Sequence, residues 1–407
     1  QRRRNKKIGS INIGTIFGMD VGGTLTKIVY FERSSRPGAL RRDKDDGSPG
    51  KLKRNCSIDR MDTPDHIAAL DEMHKYMGET KSFASVDDSL NFYSSLLGGR
   101  MHFLSFETRL MESAIEALST RGVTQHIRTI GCTGGGAHKY AQAISDHLDI
   151  TVEEKDELEC LIRGMHFAIM NIPGECYTYR SYGNVDGTIA EKLEWVRDVK
   201  EAVRKINVPV FPLASQFPYL IVNIGSGVSI LKVSSTDKYE RVSGSSLGGG
   251  TYWGLCRLFT RCASFAEAMD LAESGDSKQI DMLVRDIYGG SYSNMNLDGD
   301  MVASSFGKLV MMENPRDGLR EEDLALALLM MITNNIGQVA YLNAKLHGCK
   351  SIFFVGSFLR HNAVSCRRLA FAINFWSKAT MDALFLEHDG YFGSIGTFLQ
   401  SAFGADV

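Results

Sequence analysis

Phe17-Gly18-Met19-Asp20-Val21-Gly22-Gly23-Thr24-Leu25-Thr26-Lys27 is the stretch whose reading decides the fold. An apolar run breaks at an acid, two glycines, a hydroxyl and a lysine, then turns apolar again from Ile28 to Phe31. The pattern predicts a strand, a phosphate turn and a second strand. A glycine pair lets backbone N–H groups approach an anion, because no side chain stands in the way. Asp20 at the strand end can hold a hydrated magnesium ion, Thr24 can donate to a phosphate oxygen, and Lys27 can set a point charge beside the phosphoryl group. An ordinary hairpin turn would account for Gly22 and Gly23, but not for the acid, the hydroxyl and the lysine together.

A second copy of the same idea lies some two hundred residues on. Pro218-Tyr219-Leu220-Ile221-Val222-Asn223-Ile224-Gly225-Ser226-Gly227 again runs from an apolar strand into a glycine-flanked hydroxyl, and residues 228–233 continue as a strand. Two such turns imply a duplicated nucleotide-binding fold. With them the sequence resembles the sugar kinase, heat-shock and actin ATPase superfamily. More narrowly, it resembles the eukaryotic-type pantothenate kinases through Gly18 to Leu25, Asp156-Glu157-Leu158-Glu159-Cys160-Leu161-Ile162, Asn223 to Ser229 and Ser246-Leu247-Gly248-Gly249-Gly250-Thr251. The resemblance covers about Phe17 to Phe403. It implies an α/β fold of two duplicated actin-like (ribonuclease H-like) domains closing over an ATP cleft. The boundaries expected are 12–215 for the N-terminal domain and 216–407 for the C-terminal one.

Composition sets limits of its own. The 407 residues, 43% apolar and 23% charged, can bury a large core, and usual domain sizes suggest two domains. A formal charge of -2 gives no general basic field for nucleic acid or an anionic membrane, and no apolar run reads as long enough to span a bilayer. The basic opening, Gln1 to Lys7, is assigned no function, and what precedes Gln1 stays open. The eight cysteines are scattered without a CxxC pair, and the ten histidines form no HExxH pattern. A reducing compartment is the simplest inference, and the protein is expected to be cytoplasmic.

Between the two turns, residues 33–62 are rich in charge, Gly and Ser and read as a surface insertion. Residues 63–77 read as a helix, 101–106 as a strand leading to a helix through Leu118, and 126–130 as a strand ending in Gly131-Cys132-Thr133-Gly134-Gly135-Gly136 before a helix at 139–148. That glycine cluster suits either an anion or a tight strand-to-helix corner. Residues 152–170 read as a helix with Leu158, Leu161, Ile162, Met165 and Ile169 on one buried stripe, and with Glu153 and Glu154 in its first turn. Glu157 sits at the edge of this stripe. It can be a partly desolvated general base or a solvated acid, and the residues alone leave both open. The resemblance makes Glu157 the catalytic base, with Asp156 as the fallback. Residues 171–216 join the two halves, with a charged helix expected at 189–206.

Beyond the second turn, residues 229–233 and 239–242 read as strands, and a helix is expected at 252–259 after the three glycines, whose bare backbone can press on a nucleotide. A surface strand arginine is the plain reading of Arg241. The resemblance instead matches Arg241 to the arginine that holds the pantothenate carboxylate, with Ser229 as a neighbouring contact. It likewise places Val302 and Ala303 at the substrate pocket or its border, and Gly356 against adenosine. Residues 321–346 read as a long helix with a broad apolar face suited to a core or a dimer interface, and 351–355 as a buried strand. Gly393 and Gly396, in a closing helix, suit tight packing.

The expected function is phosphorylation of pantothenate by ATP and magnesium, the first step of coenzyme A biosynthesis, with feedback inhibition by acetyl-CoA or another acyl-CoA and with a homodimer. ATP would be held by Gly22, Gly23, Thr24, Lys27, Ser226, Gly227, Gly248, Gly249 and Gly356, and the metal by Asp20. The alternatives are a related small-molecule kinase and a degenerate ATP-binding regulatory protein.

Overall fold

The computed structural model describes residues 16–33, 84–120, 129–181, 203–209, 213–295, 297–315 and 318–404. Of the insertion expected at 33–62, Arg33 ends a strand, and the rest, with the helix expected at 63–77, lies outside them. The chain forms two compact units, Gln1–Ile172 with Tyr391–Val407, and Pro173–Gly390.

In the first unit, β1 (Ile16–Val21) and β2 (Leu25–Arg33) form the antiparallel hairpin expected from the opening motif. The short strands β3 (Ala84–Val86) and β4 (Phe92–Ser94) pair with β5 (Gly99–Glu107), which continues the antiparallel ladder beside β2. On the other side of β1, β6 (Thr129–Thr133) and β7 (Thr151–Glu154) run parallel to it. Alternation along β1 divides its side chains between two layers. Phe17, Met19 and Val21 enter a core with Met111 and Ile115 of α1 (Met111–Thr120) and with Ile144 and Leu148 of α2 (Ala137–Leu148). Gly18 and Asp20 face the closing helix Phe392–Phe403, whose Phe398 N would lie 2.7 Å from a Cβ on Gly18. That helix also packs on α3 (Glu157–Asn171), where a Cβ on Gly164 would stand 2.9 Å from Gly396 N.

The second unit repeats the topology. Strand β10 (Tyr219–Ile224) pairs antiparallel with β11 (Val228–Ser235), and β11 with β12 (Lys238–Ser245). On the far side of β10 come β15 (Ser351–Val355) and β16 (Asp382–Leu386), both parallel. Each unit thus carries three antiparallel strands followed by two parallel ones, in the spatial order third, second, first, fourth, fifth. This is the duplication the two turns implied. The second sheet is extended by β8 (Cys176–Ser181) and β9 (Val203–Asn207), which pair onto β16. The sequence-drawn division at 215/216 therefore falls after two strands that belong to the second sheet. Residues 203–207 are strand, not the end of a charged helix, because β8 offers them a partner. Helices α4 (Gly249–Phe259), α5 (Phe265–Ser274), α7 (Glu321–His347) and α8 (Ala363–Ser377) build the core with Leu220, Val222, Ile230 and Phe354. A short helix α6 (Val284–Tyr288) lies beside a two-stranded ribbon of β13 (Met282–Leu283) and β14 (Val302–Ser304).

One compositional expectation needs correcting. Leu324 to Ala344 carries no charged side chain, and α7 is long and apolar enough to cross a membrane by length and composition. In the fold it is a core helix, with Ala327, Leu328, Ile332 and Ile336 buried among α4, α5 and α8.

Candidate active site

The first group of site residues grows from the β1–β2 hairpin. Asp20 and Lys27 are direct partners across the ladder, as are Val21 and Thr26. Gly22 N donates to Leu25 O at 3.0 Å and closes the turn, leaving Gly23 and Thr24 exposed at its tip. Thr108 fastens the turn from below: its Oγ1 donates to Gly22 O at 2.8 Å, its N–H donates to Thr24 O at 2.9 Å, and its hydroxyl meets Thr26 Oγ1 at 3.1 Å. The carboxylate of Asp20 lies in a slot between two glycines. A Cβ on Gly134 would stand 2.6 Å from Oδ1, and one on Gly393 would stand 2.6 Å from Oδ2. Burial pushes the Asp20 pKa above its ordinary value, and the Lys27 ammonium opposes that rise.

Glu157 reaches this neighbourhood through β6. Thr133 is the register partner of Asp20 in the parallel β1–β6 pair. Its Oγ1 donates to Lys155 O at 3.0 Å while Lys155 N donates to Cys132 O at 2.8 Å, so the segment before α3 is tied to the end of β6. Helix α3 then starts at Glu157, not at Val152, because Val152, Glu153 and Glu154 pair with β6 as strand. Asp156 is its N-cap, accepting from Glu159 N at 2.8 Å. That contact assigns the fallback residue a capping task. Glu157 itself is solvent-accessible at the first helical position, yet the protein around its carboxyl raises its pKa. The negative charges of Asp20 and Asp156 add to the rise, and Lys27 counters it. Asp20, Lys27 and Glu157 thus share one electrostatic neighbourhood.

The second group lies in the second unit. The turn Gly225-Ser226-Gly227 is closed by Gly225 N donating to Gly227 O at 2.9 Å. Helix α4 docks its start on this turn: Gly249 N donates to Gly225 O at 2.8 Å and Gly250 N to Ser226 O at 3.0 Å. A Cβ on Gly248 would stand 2.7 Å from Gly227 Cα. The helix begins at Gly249, earlier than the expected 252, and the glycine run serves this close docking, with two of its N–H groups spent on the turn. Gly356, at the end of β15 with φ 114, presses on the end of β10, where a Cβ would stand 2.7 Å from Ile224 N. Its N–H donates to the buried Asp389 carboxylate at 2.5 Å.

Ser229 and Arg241 come together, Arg241 Nε donating to Ser229 Oγ at 3.2 Å, with Arg241 otherwise exposed on the edge strand β12. Val302 and Ala303 do not join that sheet; they sit on the separate β13–β14 ribbon. The following Phe306, in a left-handed conformation with φ 62, donates its N–H at 2.9 Å to Asp281, a carboxylate with no solvent exposure.

A family model described as Fumble matches residues 16–400. The chain belongs to the Fumble family. It is 37% identical over 397 residues to "Pantothenate kinase 2" of Oryza sativa subsp. japonica, covering 94% of this chain and 38% of that protein. It is 37% identical over 351 residues to "Pantothenate kinase" of Schizosaccharomyces pombe, covering 83% of this chain and 82% of that protein. It is also 36% identical over 386 residues to "4'-phosphopantetheine phosphatase" of Mus musculus, covering 95% of this chain and 41% of that protein. The chain spans about two fifths of the length of the rice and mouse relatives.

In this Fumble chain the sequence reading missed Thr108, Gly134, Asp281 and Asp389 as supports of the site. Nothing in the short-range pattern around Thr108, Asp281 or Asp389 marks them, because their partners lie far away in sequence. Gly134 stood within a noted glycine cluster, and its slot beside Asp20 supplies the packing reason.

Proposed function

We propose that this chain transfers the γ-phosphoryl of ATP to the primary hydroxyl of pantothenate, giving 4'-phosphopantothenate. The observation that carries the reading is the cross-strand pair of Asp20 and Lys27 at a glycine turn, with the Glu157 carboxyl in the field of both. A phosphate turn alone suits binding; an accessible carboxyl of raised pKa beside it adds a proton acceptor. Phosphoryl transfer needs chiefly positioning and charge stabilisation, and that set supplies both.

In this reading Glu157 takes the hydroxyl proton as the oxygen attacks. Lys27 and the N–H groups of the Gly22-Gly23-Thr24 turn hold the transferring phosphoryl, and Ser226, Gly227 and the Gly248-Gly249 corner shape the cradle for the remaining phosphates. Gly356 leaves room for adenosine, Arg241, with Ser229 beside it, fixes the carboxylate end, and Val302 and Ala303 border the pocket. Asp20 fits magnesium: it is a carboxylate whose burial leaves its charge poorly compensated, and one or two carboxylates with substrate phosphates form the donor set that ion favours. Magnesium bound with ATP would neutralise charge on the phosphates.

The mouse relative bears a phosphatase name at similar identity, so a non-kinase reading deserves its own test. The presence of Asp20, Lys27 and Glu157 favours the kinase over a degenerate ATP-binding protein. Incubation with MgATP and a panel of labelled hydroxy acids and sugars decides: pantothenate is the expected acceptor, phosphorylation of a sugar alone would replace the substrate, and ATP binding without transfer would favour the regulatory alternative.

The same reading carries three further expectations. Acyl-CoA joins an adenine nucleotide to a pantothenate-derived arm, so it should compete with ATP, and inhibition unmoved by saturating ATP would count against this. A cytoplasmic setting suits the seven free thiols among the described residues. The assembly is a homodimer, checked by its mass in solution.

A further inference from the structure

Ser229 and Gly244 stand directly opposite each other on β11 and β12, whereas Arg241 faces Leu231. The ladder slips between Ile230 and Leu231, so β12 uses one more residue than β11 over this stretch. In a regular strand, residues three apart project from opposite faces; the extra residue of a bulge cancels that alternation. Arg241 is therefore turned to the side of Gly244 and Ser229, where its Nε donates to Ser229 Oγ at 3.2 Å. Its guanidinium lies over the bare backbone of Gly244. A Cβ there would collide with Arg241 Nη2 and would stand 3.3 Å from Cζ and 2.7 Å from Val228 O. Gly244 is not among the positive-φ residues, so the demand on this position is space, not backbone freedom.

We propose that Gly244, together with Ser229, is a positioning element for Arg241. Ser229 takes up the Nε–H and Gly244 lets the guanidinium lie flat, so the edge formed by the two Nη groups is the one presented to a planar carboxylate. A guanidinium already held in place loses less freedom when it binds, and a bidentate contact requires that orientation. The proposal rests on the reading of Arg241 as the carboxylate contact, and it adds why an exposed arginine on an edge strand would be effective there.

Steady-state kinetics with ATP and pantothenate test it on Gly244→Ala, Ser229→Ala and Arg241→Ala, and on each of the first two combined with the third. Arg241→Ala should raise the pantothenate KM roughly ten- to a hundredfold. Gly244→Ala should approach that loss, and Ser229→Ala should cost about three- to tenfold. Neither should add to the loss once Arg241 is gone, and the KM for ATP should hold within about twofold throughout. If Arg241→Ala leaves the pantothenate KM unchanged, the underlying reading of Arg241 falls. If Arg241→Ala behaves as expected but the other two are silent, or cost as much without Arg241 as with it, the positioning role alone is overturned. Melting curves accompany each variant. Should Gly244→Ala unfold at the assay temperature because of Val228 O, the Ser229 cycle decides by the same criterion.

Discussion

Asp20 and Lys27 face each other across the β1–β2 ladder, and the ammonium lowers the pKa of both Asp20 and Glu157 against the rise that the surrounding protein imposes. A base must be deprotonated to act, so the acid limb of the pH profile follows the Glu157 pKa. Lys27→Met removes a charge that holds this pKa down and should move the limb to higher pH, alongside a fall in rate from the lost phosphate contact. Asp156→Asn removes a charge that holds it up and keeps a good N-cap, so the limb should move to lower pH with near-normal turnover. Profiles of kcat/KM from pH 5 to 8.5 check both directions; shifts of the same sign would break the assignment.

Glu157→Gln keeps shape and hydrogen bonding but cannot accept the hydroxyl proton. Turnover at saturating substrates should fall on the order of 10²–10⁴-fold. Calorimetric ATP binding should stay near wild type, because the phosphate turns are untouched. Near-normal turnover would make Glu157 a solvated helix-start acid.

Gly393→Ala should act through Asp20. The added Cβ would stand 2.6 Å from Oδ2, so either the carboxylate or the closing helix must give way. Overpacking of this kind costs roughly 1–3 kcal/mol, and the expected readouts are a lowered melting temperature and at least about a tenfold loss of kcat. Normal activity at full stability would show that the Asp20 carboxylate need not occupy this slot.

Asp281→Asn predicts a stability change that depends on pH. Burial raises the Asp281 pKa from 3.8 to about 6, despite the Phe306 N–H and nearby Arg368 and Lys308. A carboxyl with a raised folded-state pKa contributes most below its unfolded pKa, and that contribution is lost as pH rises through about 6. Asparagine keeps an acceptor for Phe306 and never ionises. The variant should match wild type near pH 4 and exceed it above pH 7 by up to ~3 kcal/mol. Thermal melts across that range check it, and a variant less stable at pH 8 would mean that the ionised carboxylate is needed.

What was legible in the sequence was what neighbours in the chain decide. A strand that breaks into glycines and resumes must form a hairpin turn, and Asp20 and Lys27 are close enough in sequence for that hairpin alone to pair them. The repeat of the pattern at Gly225 to Gly227 made the duplication readable, whereas the amphipathic stripe drew α3 too early and its N-cap, Asp156, went unread. The rest required pairing over long separations. Val152 to Glu154 became strand because β6 offered them a ladder, and Val203 to Asn207 because β8 did. The charge-free run of α7 could serve a bilayer or a core by composition, and packing by α4, α5 and α8 made it a core helix. Thr108 under the first turn, Gly134 and Gly393 around Asp20, and Gly244 beneath Arg241 owe their roles to sterics and hydrogen bonds. Close contacts of that kind exist only after the backbone has been folded into place.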